Sequence, residues 1–476
     1  MLAGNVLASV DATGNLSIRG DVLANEIEVV QTAANAYLIT GVDTTVNGGE
    51  DFLATGVTGS VSADLKGGND TFTFTGAEAG AGFATNLTGN FIVVDASGND
   101  AITVANVNAA GMVRIDAGAG HDDVDLSAVT AGAGGLSVST GVGHDTVALA
   151  TVDTAGLLNV NTGIGNDTLD LTAASGAIVM IDTGAGNDGL TSTELTADTA
   201  LTVNTGHGND TVELTDTTAL SATINTGDNH DVVIIDEITA TTALTILTGT
   251  GHDNLTLDNA TAASLIIDLG AGNDVALVTD VATTLLFSLS AGAGNDAVTI
   301  GIEEGETSTL AGVATVNLGD GNDVFNMVNA AVTGALMVFG QAGNDGLTLD
   351  DVDVSGQLLV DAGFGNDTVA ATALDLGANA AFLLGLGNDT LAATDLTLVG
   401  DLTIDGSLGN DGVTLDAVTA DEIFANLGLG NDTITAGAIA AARLRIDAGL
   451  GQDTLNDEGG IVATIFQKLG LETINI

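Results

Sequence analysis

The stretch LNVNTGIGNDTLDLT, residues 158–172, contains two runs of alternating apolar residues joined by a glycine-rich turn. Almost the same string returns as LTVNTGHGNDTVELT at 201–215 and as LLVDAGFGNDTVAAT at 358–372. Apolar residues that alternate with polar ones are typical of a β-strand with one buried face. The string therefore predicts two strands joined by a sharp corner, and its recurrence predicts a repeat protein.

The repeat is defined by the aspartate that closes each turn. Eighteen copies align on this residue, and fifteen of the seventeen intervals are 21–23 residues long, the exceptions being 30 and 27. A nearly fixed period in this range is typical of a solenoid. The residues of this aspartate column are Asp70, Asp100, Asp122, Asp145, Asp167, Asp188, Asp210, Asp231, Asp253, Asp274, Asp296, Asp323, Asp345, Asp367, Asp389, Asp411, Asp432 and Asp453.

One repeat reads as strand, tight turn, strand and a loose return rich in Ala, Thr and Gly. A meander of hairpins also fits two strands per repeat, but identical turns at constant spacing favour parallel stacking. We therefore expect an all-β chain that forms a parallel β-solenoid of about 18 rungs, each adding about 4.8 Å. The solenoid is expected to span 61–455, with a β cap or degenerate rungs at 1–60, a β cap at 456–476 and loops at the insertions 76–90 and 301–312.

The composition is strongly acidic and yet apolar enough to fold. The chain carries 63 acidic and six basic residues, a formal charge of −57, while 45% of its residues are hydrophobic. Disordered acidic chains are poor in apolar residues, so this charge belongs to a folded protein. Because an acidic surface repels nucleic acid and anionic lipid, cations are the expected partners.

Cysteine is absent, which excludes disulfides and thiolate metal sites. No apolar stretch approaches the roughly 18 residues that span a bilayer, so no membrane insertion is expected. The first twenty residues lack the pattern of a signal peptide. For a secreted protein we expect either that a leader has already been removed or that export uses another route.

Stacking the aspartate column creates an electrostatic problem. Carboxylates one rung apart repel by about 0.9 kcal/mol in water and by about 3.5 kcal/mol at an effective dielectric constant of about 20. The sum over all steps is roughly 15–60 kcal/mol, against a net stability of about 5–15 kcal/mol. A divalent cation between successive turns converts this repulsion into attraction. Oxygen ligands on a flexible loop favour calcium over magnesium, and zinc would need Cys or converging His.

A turn stabilised by the aspartate itself, without an ion, is the alternative to a calcium site. A second set of residues, the outer column, stands six positions before twelve of the aspartates and could complete the cation sites. The alternative role of these residues is to form turns by bonding their own backbone. They are Asp64, Asp116, Asn161, Asp182, Asn204, Asn225, Asp268, Asn317, Asp361, Asp405, Asn426 and Asp447.

The residue immediately before the aspartate is Asn thirteen times, His four times (His121, His144, His230 and His252) and Gln once (Gln452). Asn and His are both enriched in left-handed backbone conformations, so the exchange suggests a conformational requirement. The four His residues could instead give the turns a response to pH, although substitution for Asn is the simpler interpretation.

The turns GIGNDTL (163–169), GHGNDTV (206–212) and GLGNDTL (385–391) resemble the calcium-binding repeats of RTX proteins, the haemolysin-type glycine-rich nonapeptide GGxGxDxUx. The resemblance extends from Lys66 to about Leu455. It implies that the aspartate column binds calcium with help from carbonyls of the glycine region, in a right-handed parallel β-roll that is secreted into calcium-rich surroundings. RTX rolls carry a motif on both edges of a shorter coil, whereas this chain has one motif per longer coil, so one ion column is expected.

Composition also argues against catalysis. With one Tyr, no Trp and six basic residues, the chain lacks the base and the aromatic platforms typical of calcium-dependent polysaccharide lyases. No HExxH or Gly-x-Ser-x-Gly motif occurs, and the Thr residues keep no register from repeat to repeat that would suit ice binding. We therefore expect no enzymatic activity.

Two functions remain open. Because the repeats fill the chain, the first is a secreted structural subunit of an extracellular or cell-surface assembly, such as a filament, surface layer or matrix. This subunit would fold on binding calcium and would self-associate into a homopolymer. The second is an adhesin or spacer that presents ligand-binding loops, at 76–90 and 301–312, on a solenoid stiffened by calcium.

Overall fold

The computed structural model describes residues 4–77, 85–301, 307–471 and 473–475, with only the backbone described at 464–468. All regular structure in these ranges is β-strand, as the alternating pattern predicts, and no described helix is present that could span a membrane. The strands are β1 (Gly4–Val10), β2 (Leu16–Arg19), β3 (Glu26–Ala33), β4 (Ala36–Gly41), β5 (Thr44–Val46), β6 (Asp51–Thr55), β7 (Val61–Asp64), β8 (Thr71–Thr75), β9 (Asn86–Leu87), β10 (Phe91–Val94), β11 (Ala101–Ala109), β12 (Val113–Asp116), β13 (Asp123–Ala131), β14 (Leu136–Ser139), β15 (Thr146–Asn161), β16 (Thr168–Asp182), β17 (Gly189–Asn204), β18 (Thr211–Asn225), β19 (Val232–Leu247), β20 (Asn254–Asp268), β21 (Val275–Thr279), β22 (Ala282–Ala293), β23 (Ala297–Ile300), β24 (Ser308–Leu310), β25 (Val313–Asp320), β26 (Val324–Val332), β27 (Leu336–Ala342), β28 (Gly346–Val354), β29 (Leu358–Asp361), β30 (Thr368–Leu376), β31 (Ala380–Leu383), β32 (Thr390–Leu398), β33 (Leu402–Asp405), β34 (Gly412–Asn426), β35 (Thr433–Ala436), β36 (Ile439–Asp447), β37 (Thr454–Asp457), β38 (Val462–Leu469) and β39 (Thr473–Asn475).

The chain divides into two compact units, Met1–Thr239 and Ala240–Ile476. Each unit contains a parallel β-solenoid, which confirms the predicted fold. In the first unit β16 pairs with β17 in parallel, so that Thr168 lies beside Gly189. In the second unit β30 pairs with β32 in the same way, with Thr368 beside Thr390. In both pairs the offset between partners equals the repeat length, so each residue stacks on its equivalent in the next rung.

The core is formed by the inward-facing residues of the alternating pattern. In one rung of the first unit, Leu158 and Val160 before the turn and Leu169 and Leu171 after it are almost completely buried. The residues between them are more exposed, because successive side chains of a strand point to opposite faces. Burying one such apolar side chain contributes about 1.5–3 kcal/mol, and the row repeats along each unit.

The return segment is not loose, which corrects the sequence-based expectation. Six residues after most column aspartates the chain bends at a single residue with a φ angle of 50–57°, and it then forms a third paired stretch. In this stretch Val152, for example, lies beside Ala174. The residues at this second corner are Asn106, Ala128, Thr151, Ala173, Glu194, Asp216, Glu237, Asn259, Asp280, Asn329, Asp351, Ala373, Asp395 and Ala417.

Repeats of different length are accommodated in the return. The pairing of β15 with β16 is regular up to Thr154 and shifts by one residue before Leu157. Similar shifts occur after Gly176 and after Ala197 in the next rungs. The turn that carries the aspartate therefore keeps its register, and the return absorbs the difference between coils of 21, 22 and 23 residues.

The segment before the first complete rung differs from the solenoid, because it contains antiparallel pairs. β1 pairs with β2, and β4 pairs with both β3 and β6, all antiparallel. β2 and β3 then stack in parallel on β7 and β8. This segment therefore combines antiparallel pairs of its own with strands that stack in register on the first rung.

At the other end, β38 and β39 pair in parallel with β36 and β37, so this segment continues the coil. Both predicted insertions extend beyond the described residues, since 78–84 and 302–306 are not described. What is described of them is partly strand, because β9 pairs with β11 and β24 pairs with β26.

Candidate metal centre

Most corners place glycine backbone against glycine backbone. Gly163 and Gly165 in the turn 162–167 have φ angles of 102° and 152°. A Cβ atom added to Gly165 would lie 1.3 Å from the carbonyl oxygen of Gly143 in the preceding rung. No side chain fits at Gly165, and glycine occupies this position in seventeen of the eighteen rungs; the exception is Asn229, which has a φ angle of 84°.

The aspartate column points into the corner and not into solvent. All eighteen side chains are at most 3% exposed. Asp carboxylates are rarely buried to this extent unless they are paired or bind a metal. The hydrogen bonds of the column therefore decide what it can bind.

In all but the first rung and Asp253, one oxygen of the carboxylate accepts a described hydrogen bond from the backbone of the preceding rung. The Asp145 N–H donates to Oδ1 of Asp167 at 2.8 Å, and the Asp167 N–H donates to Oδ1 of Asp188 at 2.8 Å. Equivalent bonds of 2.7–2.9 Å connect the column from Asp70 to Asp231 in the first unit and from Asp253 to Asp453 in the second. At the first rung the backbone N–H of Asn25, in the cap, donates to Oδ1 of Asp70 at 2.6 Å.

The second carboxylate oxygen is buried and accepts no hydrogen bond in fifteen of these residues. Leaving a buried acceptor without a partner is unfavourable, and more so when the group is charged. These oxygens are the strongest indication of a ligand in the structure. They are the Oδ2 atoms of Asp70, Asp100, Asp122, Asp145, Asp167, Asp188, Asp210, Asp274, Asp296, Asp323, Asp345, Asp367, Asp389, Asp411 and Asp432.

Burial raises the pKa of most column carboxylates, because the charged form loses its water. The backbone N–H donor of the preceding rung lowers the pKa in part, and neighbouring carboxylates raise it again in many rungs. The pKa rises to about 6 for Asp100, Asp188, Asp296 and Asp367 and to about 7 for Asp122, Asp274, Asp345 and Asp411. Burial also raises the pKa of six further column residues, Asp70, Asp167, Asp210, Asp323, Asp389 and Asp432. These carboxylates therefore take up protons at a higher pH than an ordinary aspartate does, and a cation would compete with those protons.

The outer column lies on the opposite side of its strand from the buried row. Its members are half-buried, apart from Asp268, which is exposed. Asn amides link some rungs, as where Asn204 Nδ2 donates to Oδ1 of Asp182 at 3.2 Å. Basic residues pair with others: Arg114 with Asp116 at 2.7 Å and Arg445 with Asp447 at 3.0 Å. These contacts are those of a solvated face.

The structure does not bring the two columns together into clusters of acidic groups. Within the described ranges, only one set of three or more acidic or His side chains has ligand atoms within 4.8 Å of one another, and it consists of Asp70, Asp95 and Asp100. No outer-column residue belongs to it. Sequence reasoning missed Asp95, although an Asp five positions before a column aspartate was a visible signal, since Leu65, Ala117 and Thr140 occupy that position in neighbouring rungs.

The Asn and His residues before the aspartates form a second ladder. The His144 N–H donates to Nδ1 of His121 at 2.7 Å, and the Asn166 N–H donates to Nδ1 of His144 at 2.6 Å. The Asn187 N–H continues the ladder by donating to Oδ1 of Asn166 at 2.9 Å. Nδ1 of His thus takes the place of Oδ1 of Asn, which explains why these two residue types exchange. The left-handed conformation expected from the sequence was wrong, because no described residue at this position has a positive φ angle.

Backbone carbonyls of the turn are largely used between rungs. The carbonyls of Thr162, Gly163 and Ile164 accept backbone N–H groups from Gly141, Ala185 and Gly143. In this turn Oδ2 of Asp167 receives no N–H donor; the Thr162 hydroxyl lies near enough to lower the pKa of Asp167, but it donates to the carbonyl of Thr183 at 3.1 Å. The donor set therefore fits a hard cation that is bound mainly by carboxylate oxygens.

Comparisons with protein-family models, with curated proteins and with solved structures gave no match.

Proposed function

We propose that the protein is a calcium-stabilised structural subunit of an extracellular or cell-surface assembly, and that the aspartate column holds its ions. The observation that carries the proposal is the row of buried Oδ2 atoms without hydrogen-bond partners. A divalent cation gives these oxygens a partner and neutralises carboxylates whose burial is otherwise unfavourable.

Calcium suits this donor set better than other common ions. The ligands are oxygens, and the flexibility of calcium coordination tolerates a site built from backbone turns. Zinc prefers nitrogen and sulfur ligands. Calcium takes about six to eight oxygens, so carbonyls or waters must complete each site. The outer column faces away from the corner and has no part in this ligand set.

A structural role is supported by an exposed apolar row in the second unit. The middle residue of five successive turns, Phe364, Leu386, Leu408, Leu429 and Leu450, stacks rung on rung and is 41–73% exposed. Contiguous exposed apolar surface of this kind is typical of an interaction site. We propose that this row contacts a second copy of the chain once calcium has reduced the repulsion between two acidic molecules.

The decisive experiment is a calcium titration of purified, chelator-treated protein. Circular dichroism reports strand content, dynamic light scattering reports size, and negative-stain microscopy reports form. We expect calcium to increase strand content or melting temperature and then to produce ordered polymers. Monomers that persist in millimolar calcium would favour the adhesin or spacer, and a melting temperature unaffected by calcium would contradict the metal site itself.

A further inference from the structure

The position five residues before each column aspartate faces the interior of the coil. Leu65, Ala117 and Thr140 occupy it in three rungs and are at most 1% exposed. Asp95 occupies the same position before Asp100, and it is 3% exposed. One rung of the first unit therefore contains a carboxylate where its neighbours place an apolar or hydroxyl side chain.

Asp95 meets two members of the aspartate column. Ligand oxygens of Asp70, Asp95 and Asp100 lie within 4.8 Å of one another, and all three side chains are at most 3% exposed. Three carboxylates in one buried pocket are far more unfavourable than the pairs found elsewhere in the column, unless a positive charge joins them.

The hydrogen bonds of the three residues leave one oxygen of each for a ligand. Backbone N–H groups hold one oxygen each: Ala96 donates to Asp95 at 2.7 Å, Asn25 to Asp70 at 2.6 Å and Asp70 to Asp100 at 2.7 Å. No N–H or hydroxyl donor reaches the other oxygen, Oδ2, in any of the three, and the carboxyl groups can hydrogen-bond one another only when one of them carries a proton. The carboxylates are thus fixed in place by the backbone while three oxygens remain without such a donor.

We propose that Asp70, Asp95 and Asp100 form a distinct calcium site that binds more tightly than any site in the rest of the column. Affinity for calcium increases with the number of charged ligands, and this site has a third carboxylate. Magnesium demands a nearly ideal octahedron, whereas calcium accepts the irregular geometry of three carboxylates that the backbone holds in place. The site lies beside the cap, so it is expected to fill first and to order the start of the first unit at low calcium.

This site does not depend on ions at the other rungs, because its three carboxylates are enough to form it. Asp95→Leu is the direct test, because leucine occupies the equivalent position at Leu65 and the fold accepts it there. Ala117→Asp is the matched gain-of-site variant. It places a carboxylate at the same interior position one rung later, five residues before Asp122.

Calcium content and affinity would be measured on the full chain by calorimetry and by elemental analysis after equilibration. A second probe is terbium, whose emission is sensitised by nearby tyrosine. Tyr37 is the only Tyr, Trp is absent, and the Tyr37 ring lies 5.5 Å from that of Phe74, four residues beyond Asp70. We expect Asp95→Leu to remove the tightest ion, weakening the first binding event about tenfold or more, and to reduce tyrosine-sensitised terbium emission. Ala117→Asp should add one tight ion.

The outcomes separate this inference from the proposed function. If many ions bind and Asp95→Leu changes neither their number nor the tightest affinity, the cluster shares protons and the inference is wrong. If a single ion binds and Asp95→Leu abolishes it, the inference holds and the general metal column fails. If magnesium competes with terbium as well as calcium does, the assignment to calcium is overturned.

Discussion

The backbone N–H of Asp389 donates to Oδ1 of Asp411 at 2.9 Å, while Oδ2 of Asp411 is buried without a hydrogen-bond partner. The same side chain therefore serves two purposes through its two oxygens. Oδ1 fixes the register of neighbouring turns, and Oδ2 supplies charge to the proposed ion site. Replacing the carboxylate by its amide separates these two purposes, because Asn retains the acceptor and loses the charge.

Asp411→Asn is expected to change stability in opposite directions with and without calcium. In chelator it should raise the free energy of unfolding by about 1–3 kcal/mol, because an unpaired buried charge is removed. In calcium it should lower the melting temperature relative to the parent protein, because a ligand is lost. Thermal melts in both conditions measure this, with Asp405→Asn, a half-buried outer-column residue of the same rung, as the control. Equal shifts in both conditions would contradict the metal site.

The metal-free protein is expected to lose stability as pH rises from about 4 to 8. Burial raises the pKa of Asp122, Asp274 and Asp345 to about 7 from the ordinary value of 3.8. The folded state thus holds protons that the unfolded state releases, so this stabilisation is complete below 3.8 and is lost as pH passes through the folded pKa. Calcium binds the ionised form, so the gap in melting temperature between calcium and chelator should widen with pH. If the melting temperature of the protein in chelator stays constant or rises over this pH range, the prediction is wrong.

The His ladder predicts a difference between two substitutions at His144. His144→Asn keeps an acceptor for the Asn166 N–H and should leave stability nearly unchanged at neutral pH. His144→Ala removes that acceptor and the stacked contact with His121, whose ring lies 5.0 Å away, and should cost about 1 kcal/mol or more. Chemical denaturation of both variants measures the difference. If the two variants are equally stable, the hydrogen-bond ladder does not explain why Asn and His exchange at this position.

Glycine is expected to be indispensable at Gly165 and replaceable at Gly189, which follows the next turn. Gly165→Ala would place a methyl group 1.3 Å from a carbonyl oxygen of the neighbouring rung, so we expect severe destabilisation or failure to fold. Gly189→Ala meets nothing within 4 Å and should be neutral or stabilising by about 0.5–1 kcal/mol. Expression, circular dichroism and thermal melts of the pair test whether the turns stack as closely as described.

The exposed apolar row predicts where polymerisation can be blocked. The double variant Leu408→Asn with Leu429→Asn changes two stacked, exposed side chains outside the core, so calcium binding and melting temperature should remain close to those of the parent. Polymer formation in calcium should fall strongly. Leu220→Asn, at an exposed leucine of the first unit, is the control. If the double variant polymerises normally, the row is not the contact between copies, and that contact lies on another surface.

The sequence predicted those features that repeat in residue type. Leu158 and Val160 alternate with polar residues, so the strands and their buried faces could be predicted, and the recurring GxGND turn indicated parallel stacking. The second corner was missed because it requires one left-handed residue and accepts several types. Ala128, Thr151 and Glu194 occur there beside the expected Asn and Asp, although a non-glycine residue in this conformation typically costs about 1–2 kcal/mol.

The sequence could not predict, for a different reason, which side of the coil the two sets of candidate ligands face. Asp167 and Asn161 are six residues apart and both suit a calcium ligand, so their spacing could not decide between a shared site and separate faces. The strand places Asn161 outside, whereas the glycines of the turn carry Asp167 inside. The hydrogen-bonding role of His144 depends on the neighbouring rung, which a single repeat does not contain.

The bond from Asn25 to Asp70 marks a starting point for the column, after which every turn needs only the turn beside it. A duplicated or deleted stretch of one period would leave the same donors and acceptors matched on either side of the junction. The molecule can therefore be lengthened or shortened by recombination in whole units while its beginning stays anchored. The number of rungs is therefore a heritable property that can change without any change in the fold of a single rung.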